Sequence, residues 1–506
     1  MKTTSMSELA ALDATAQAEL VARGELAPIE LVDAAIERIE RLNPQLNCVI
    51  FPRFEKARDE ARAAIRGNAP FRGVPFLLKD LIQSIEGEPF SWGWQPLKDA
   101  GLAAPVTSFI AAKFRQAGFI ILGQTTVPEW GASISTETNA WGATRNPWDP
   151  VRSAGGSSGG AGAAGAAMMV PAAHGNDAGG SIRIPASKCG LVGMKPSRGR
   201  TSLGPLYGDF WHGLCEEGVL TRSVRDLAAI FDVIAGRMPG DPFSASPPSR
   251  PYRDEITRAP GRLRIGFMER APSAHPALHN ECVSAVIQAA KLLESLGHQV
   301  EPAFPAALDD PTIDSHMGKL IACHEAAFVN LAEQWLGRRV GPHDFEEWTW
   351  ALIERGRRIA ATDYIATCEW MNTYTRAAAD WWCQAERSEA EQASPRAALK
   401  MKTRGFDILV TPTLSAPPPL LGTYKRHDDE NVWNIGRRIN QLIPFTGPWN
   451  ITGQPAISLP LHMTADGLPV GVQFVGAYGR EDLLLQLATQ IEQAAPWSGR
   501  LPRIHA

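Results

Sequence analysis

Apolar residues recur at helical spacing through the first part of the chain. Leu9, Leu12, Ala16 and Leu20 share one face of a 3.6-residue repeat, residues 29–42 continue the pattern, and Gly24 and Pro28 punctuate it. The spacing predicts a helical layer over 8–67. From residue 73 short apolar runs alternate with amphipathic stretches: a strand over 74–78, a helix over 108–117, a strand over 119–122 and, beyond a glycine-rich interval, a helix over 224–235. Such alternation implies an α/β core, a large mixed twisted sheet with helices on both faces. A proline-rich interval over 239–260 reads as an irregular connection. Strands over 263–267 and 298–301 then flank a helix over 278–296, and 313–400 is mostly helical with clustered Trp, Arg and Glu, as expected of a cap over a substrate. Strand patterns return at 407–413 and 450–475, so one sheet is expected to draw on both ends of the sequence. The expected division is a helical layer at 1–70, a catalytic core at 71–240, a cap at 241–405 and the rest of the core sheet at 406–506, all within one catalytic domain without internal repeats.

Composition narrows the partners. With 44% hydrophobic residues, 21% charged residues and a formal net charge of -4, the 506-residue chain lacks the basic excess of a nucleic-acid binder. No apolar run reaches bilayer-spanning length, and the N-terminal residues lack the apolar core of a secretory signal, so no membrane partner and a cytoplasmic location are expected. The seven cysteines, at 48, 189, 215, 282, 323, 368 and 383, show no C-x-x-C spacing and read as reduced thiols.

The candidate chemistry lies in the glycine-rich interval. Ten glycines fall between Gly155 and Gly190, around Ser157 in Gly-Gly-Ser-Ser-Gly-Gly and Ser181 in Asp-Ala-Gly-Gly-Ser-Ile-Arg. Glycine weakens regular structure, so this density points to backbone N–H groups crowding a ligand atom. Amide hydrolysis needs an activated nucleophile, oxyanion stabilisation and a proton for the departing amine. Ser181 follows two glycines, which lets the N–H groups of Ala178, Gly179, Gly180 and Ser181 converge on a developing oxyanion. No histidine stands in a comparably rich motif, whereas Lys79 ends the apolar run Val-Pro-Phe-Leu-Leu, where burial favours its neutral, basic form.

Other motifs carry blander or competing readings. Ser158 reads as an N-terminal helix cap, and Asp177 and Arg183 as buried partners that hold the serine loop. His174, His212 and His324 are dispersed and lack metal-ligand spacing, so no metal and no cofactor are expected. Trp92, Trp94, Trp130, Trp433 and Trp449 are candidates for an apolar pocket, while Trp381 and Trp382 are expected to pack a helix. Gly160-Ala-Gly-Ala-Ala-Gly165 fits a dinucleotide-binding expression without the strand before it or the acidic residue beyond it. Gly155-Gly-Ser157-Ser-Gly159 fits the nucleophile elbow of an α/β-hydrolase, with Ser157 attacking; that reading needs a strand before Ser157, where Pro147 and Pro150 stand. A non-catalytic binding module is the third alternative, disfavoured by the joint presence of Lys79, Ser157 and Ser181.

Gly155-Gly-Ser-Ser-Gly-Gly, Asp177-Ala-Gly-Gly-Ser-Ile-Arg-Ile-Pro-Ala and Cys189-Gly-Leu-Val-Gly-Met-Lys-Pro-Ser-Arg-Gly together resemble the amidase signature family. Gly73-Val-Pro-Phe-Leu-Leu-Lys-Asp looks like its lysine motif, and Asn450-Ile-Thr-Gly-Gln-Pro and Gly467-Leu-Pro-Val-Gly-Val-Gln-Phe-Val-Gly look like its closing strands. Asn176-Asp177 departs from the Thr-Asp of many members. The resemblance implies a Ser-Ser-Lys relay: Ser181 as nucleophile, Ser157 after a cis peptide bond as bridge, Lys79 as base. It also sets Gly131 and Ala132 as the pocket wall beside the scissile carbonyl. The implied partner is a small-molecule amide, hydrophobic and cyclic or linear, with an aryl amide, a carbamate or glutamine in an amidotransferase subunit as alternatives; a homodimer is the assembly expected.

Overall fold

The computed structural model describes residues 6–63, 69–382 and 405–506. Its main sheet takes eleven described strands from nearly the whole chain: β1 (Val49–Ile50), β2 (Pro75–Lys79), β3 (Ile120–Thr125), β4 (Ala172–Asp177), β5 (Val192–Lys195), β6 (Glu216–Thr221), β7 (Arg264–Phe267), β8 (Gln299–Pro302), β9 (Ile408–Pro412), β10 (Ala456–Met463) and β11 (Pro469–Gly476). Their spatial order is β1-β3-β2-β4-β6-β5-β10-β11-β9-β7-β8. β2 runs parallel to β3 and β4, and β7 runs parallel to β8 and β9, while the other neighbours are antiparallel. The two ends of the sequence thus meet at β5 and β10, as the strand pattern predicts.

β2 is buried on both faces, which is why it reads as a continuous apolar run. Phe76 and Leu78 join a core with Phe114, Leu227 and Phe231, whereas Leu77 joins the opposite core with Ile36, Ala163 and Ala164. The two-residue alternation of a strand sends Lys79 to the face of Leu77. That face is covered by α1 (Pro28–Leu46) and α2 (Gly159–Ala166), and α2 begins two residues after Ser157.

Several boundaries differ from the sequence expectation. The layer over 8–67 contains the described helices, but it is interrupted by β1, an edge strand paired with Gln124 and Thr125. Asn47, at a left-handed φ of 50°, ends α1 there. Two β-branched residues are too few to leave a periodic signal. Asp149–Ser153 is a strand after all, paired with Arg145–Asn146 in a separate two-stranded ribbon. The strand's other side pairs with 419–421 through Val151, Arg152 and Ser153, so Pro150, near the start of the strand, lies outside that bridge and its missing N–H is tolerated. The strand stops four residues short of Ser157 and lies outside the main sheet, so it does not build a nucleophile elbow. Gly160 to Gly165 lie inside α2 rather than in a phosphate-binding turn. Asn450 sits in a short helix ahead of β10, not in a closing strand. The parts of the helical expectations at 64–67 and 383–400, and Cys383, lie outside the described residues.

α3 (Arg183–Cys189) packs on β5, β10, β11 and α2, while the cap is built by α4 (Ile313–Leu336), α5 (Glu347–Arg357) and α6 (Ala361–Ala379), with α7 (Trp433–Leu442) and α8 (Gly447–Thr452) closing its C-terminal side. Trp94 stacks on Phe345 at 4.9 Å and meets Trp130 edge-on at 5.3 Å, and Trp92 meets Trp335 at 5.1 Å. Aromatic pairs of this geometry contribute roughly 0.5–1.5 kcal/mol beyond their burial. They fasten the cap to the turns that follow β2 and β3. Among the described residues no helix is long and apolar enough to cross a membrane.

Candidate active site

Parallel pairing of β2 and β4 sets their C-terminal ends side by side, so Lys79 ends next to Asn176 and Asp177. Ligands collect at the carboxyl ends of parallel strands. Lys79 is fully buried, and that burial pushes its pKa down to about 7. Its Nζ lies 2.7 Å from Ser157 Oγ, 2.5 Å from Asn176 Oδ1 and 3.4 Å from the Asn176 carbonyl oxygen. A neutral amine has two N–H donors and one lone pair. The two Asn176 oxygens can only accept, which leaves the lone pair for the one neighbour that can donate, the Ser157 hydroxyl.

The strand ends are pinned from below. The Lys79 N–H donates to His174 Nδ1 at 3.2 Å, which puts the ring proton on Nε2, 2.6 Å from Glu217 Oε2. Gln83 Nε2 donates to the same carboxylate at 2.9 Å. His174 is thus a satisfied buried residue, as expected from its isolation in the sequence. His212 and His324 meet instead at the Tyr364 hydroxyl, 3.2 and 3.3 Å away, in the cap.

Ser157 is 2% exposed and follows a cis peptide bond from Gly156, matching what the family resemblance implies. Gly131 borders it: a Cβ there would stand 3.5 Å from Ser157 Oγ. Ser158 occupies the cap position of α2, but its hydroxyl makes no capping bond and donates to the Asn176 carbonyl at 3.3 Å. Its non-extended backbone, with ψ of 42°, differs from the β-region geometry usual for a side-chain cap. The Ser158 N–H donates to the Ser181 carbonyl at 3.3 Å, which ties the two serine loops together.

The Ser181 loop is held by a buried ion pair. Arg183 Nη2 and Nε donate to Asp177 Oδ1 and Oδ2 at 2.9 and 3.0 Å, both side chains fully buried. Burial opposes the Asp177 charge, but Arg183 and Asn450 outweigh it and hold the carboxyl well below the usual range. Arg183 also reaches Asn450 Oδ1 at 2.6 Å and Gln473 Oε1 at 2.8 Å, so residues from the last sixth of the chain clamp the loop. Arg183→Met should therefore cost about 3–5 kcal/mol, because Asp177 would be left buried and unpaired. Equilibrium denaturant unfolding measures this loss.

One expected oxyanion donor is already engaged. The Gly180 N–H donates to Asp177 Oδ1 at 2.7 Å, because the carboxylate lies under the turn, so Gly180 is not a free donor. Among the described residues the N–H groups of Ala178, Gly179 and Ser181 have no acceptor. Gly180 is needed for another reason: its φ is +135°, and a Cβ would strike Thr446 Oγ1 at 2.6 Å and Ile184 Cδ1 at 2.7 Å. Ser181 is half-buried, unlike Ser157.

A cavity of about 260 Å³ opens beside this loop. Ala132 and Met317 line it, and the Met317 methyl lies where a Cβ on Gly179 would come within 2.8 Å. Its apolar wall includes Trp211, Trp348 and Trp433, with the Trp348 indole N–H donating to the Ala132 carbonyl at 2.9 Å. Of the tryptophans expected to line a pocket, Trp433 does so. Trp94 and Trp130 instead belong to the aromatic core under the cap, and Trp92 lines a separate cavity of about 130 Å³. Trp449 is buried against Trp382 of the expected helix-packing pair. Asn176, Asn450 and Gln473 were not singled out as functional by the sequence reading. The Asn176-Asp177 departure from the family pattern was the available signal for the first.

The chain belongs to the amidase family, whose sequence profile matches residues 30–485, and it has the amidase-signature fold. It is 42% identical over 500 residues to the 6-aminohexanoate-cyclic-dimer hydrolase of Paenarthrobacter ureafaciens, covering 97% of this chain and 96% of that protein. It superposes on the structure of a 6-aminohexanoate cyclic dimer hydrolase complexed with substrate with a TM-score of 0.90 and 41% identity, over 98% of this chain and all (100%) of that one. A bacterial aryl acylamidase of the amidase signature family superposes with a TM-score of 0.83 at 26% identity, over 98% of this chain and 99% of that one.

Proposed function

We propose that this enzyme hydrolyses the C–N bond of a hydrophobic cyclic or linear amide such as a 6-aminohexanoate oligomer, through an acyl-enzyme on Ser181. The observation that carries the reading is the fully buried Lys79, 2.7 Å from Ser157, in a loop bonded to that of Ser181. Neutral Lys79 accepts the Ser157 proton while Ser157 accepts that of Ser181, and Ser181 Oγ bonds to the carbonyl carbon. The N–H groups of Ala178, Gly179 and Ser181 hold the resulting oxyanion, each such donor being worth about 2.7–4 kcal/mol of barrier. On collapse the C–N bond breaks, and the proton returns through Ser157 to the leaving nitrogen. Water then gives its proton to the same relay and attacks the ester, which frees the carboxylic acid and restores the Ser181 hydroxyl. Ser157 is a poor candidate for the attacking group, since it is buried and its hydroxyl faces Lys79.

The six described cysteines are unpaired thiols, which supports a reducing compartment such as the cytoplasm. The aromatic wall of Trp211, Trp348 and Trp433 favours aryl amides as a second substrate class. Each methylene buried in such a cavity is worth about 0.8 kcal/mol, close to fourfold in binding. Cyclic and linear 6-aminohexanoate oligomers and anilides are accordingly expected to exceed glutamine in kcat/KM by tenfold or more. Glutamine outpacing every hydrophobic amide in that screen would replace this reading with that of an amidotransferase subunit.

A further inference from the structure

Two arginines line the cavity without a carboxylate partner. Arg355, from α5, lays its guanidinium 5.6 Å over the Trp433 ring. It packs against α4 at Gly318, where a Cβ would come within 3.1 Å of Nη1. Arg437, one turn beyond Trp433 on α7, is solvent-exposed and lines the same cavity. Among the described residues neither side chain makes a hydrogen bond or an ion pair. Glu354, the nearest carboxylate in sequence to Arg355, is paired with Arg357 and Arg358. The carboxylate that lines the cavity, Asp314, faces His275 at 3.8 Å and is hydrogen-bonded to Asn440.

A guanidinium stacked on an indole keeps its planar fork free, and that fork matches a carboxylate bidentately. This fork and the Arg437 guanidinium border a cavity whose tryptophan and aliphatic lining reaches Met317 beside the serine loop, with Asp314, His275 and Asn440 as its other polar residues; that combination suits a chain that is apolar along its length and carries an anion. We propose that Arg355 and Arg437 form a carboxylate-binding pole, so that amides bearing a carboxylate on an aliphatic chain are the preferred substrates. This inference rests on the amidase reading and specifies its substrate class.

Two matched pairs test it. One compares the mono-4-nitroanilide of adipic acid with the 4-nitroanilide of hexanoic acid, placing the carboxylate on the acyl side. The other compares N-butanoyl-6-aminohexanoate with N-hexylbutanamide, placing it on the amine side. The wild-type enzyme should favour the carboxylate member of at least one pair by about tenfold or more in kcat/KM, chiefly through KM, and added salt should shrink the preference. The Arg355→Gln/Arg437→Gln double variant should bring that ratio to within about twofold of unity, and Arg355→Lys alone should keep part of it. Turnover of the neutral members with no preference in either pair, or a preference that survives the double substitution, overturns the inference while leaving the amidase reading intact. If no member of either pair is cleaved, the amidase reading falls and the inference with it. Should the double variant fail to fold, the single variants Arg355→Gln and Arg437→Gln take its place: each should lower the wild-type ratio, and a ratio unchanged in both overturns the inference.

Discussion

Ser181→Ala is expected to lower kcat/KM by about 10³–10⁶-fold, the scale on which removal of a catalytic serine abolishes acyl transfer. The fold should survive. Ser181 is half-buried, and among the described residues its hydroxyl has no hydrogen-bond partner to be orphaned by truncation. The turn around it is set by Asp177, Arg183 and the left-handed Gly180, none of which depends on Oγ. Substrate binding should persist, because the cavity is walled by Met317, Trp348 and Trp433 rather than by the hydroxyl. The check is kcat/KM measured beside a denaturant melt: near wild-type stability with turnover lost is the expected pair of results. Retention of wild-type turnover would remove Ser181 from the mechanism.

Lys79→Met is the second large effect, a loss of about 10²–10⁴-fold in kcat, the usual contribution of a positioned base. Methionine, one atom shorter, fills most of the buried channel without a proton acceptor. The wild-type pH profile should rise through about pH 7, because only the neutral amine can accept the Ser157 proton. The sign follows from the cause: burial disfavours the ammonium, so the folded-state pKa lies below the ordinary lysine value and the active form gains population as the pH increases. Lys79→Met should flatten that limb. Combining it with Ser181→Ala should add little, since residues that act as a unit lose their activity together. A variant that kept the rising limb would assign it to another group.

The parts of the proposed chemical centre are legible in the sequence because each is carried by a local pattern. The glycine density around Ser157 and Ser181, and the apolar run ending at Lys79, need no knowledge of tertiary contacts. Strand alternation in β2 then accounts for the side chain of Lys79 facing the loop before α2. What the sequence left hidden is assembled from distant segments. The loop clamp joins Asp177 and Arg183 to Asn450 and Gln473, about 270 to 290 residues away, so no spacing rule exposes it. The same holds for the cavity, whose walls come from Ala132, Trp211, Met317, Trp348 and Trp433. Tryptophans alone did not distinguish a wall from a core: Trp94 and Trp433 look alike in sequence, yet the first is stacked on Phe345 and the second faces the cavity. The engaged Gly180 N–H was likewise invisible, since Asp177 reaches it only once β4 has ended and the chain has turned.

The most direct measurement is the site of covalent modification. The enzyme is treated with a fluorophosphonate, which reacts with activated serine hydroxyls, and the labelled peptide is mapped by mass spectrometry. A single adduct on Ser181 is expected, formed faster as the pH rises through about 7 and lost in Lys79→Met. An adduct on Ser157 with Ser181 unmodified would contradict it.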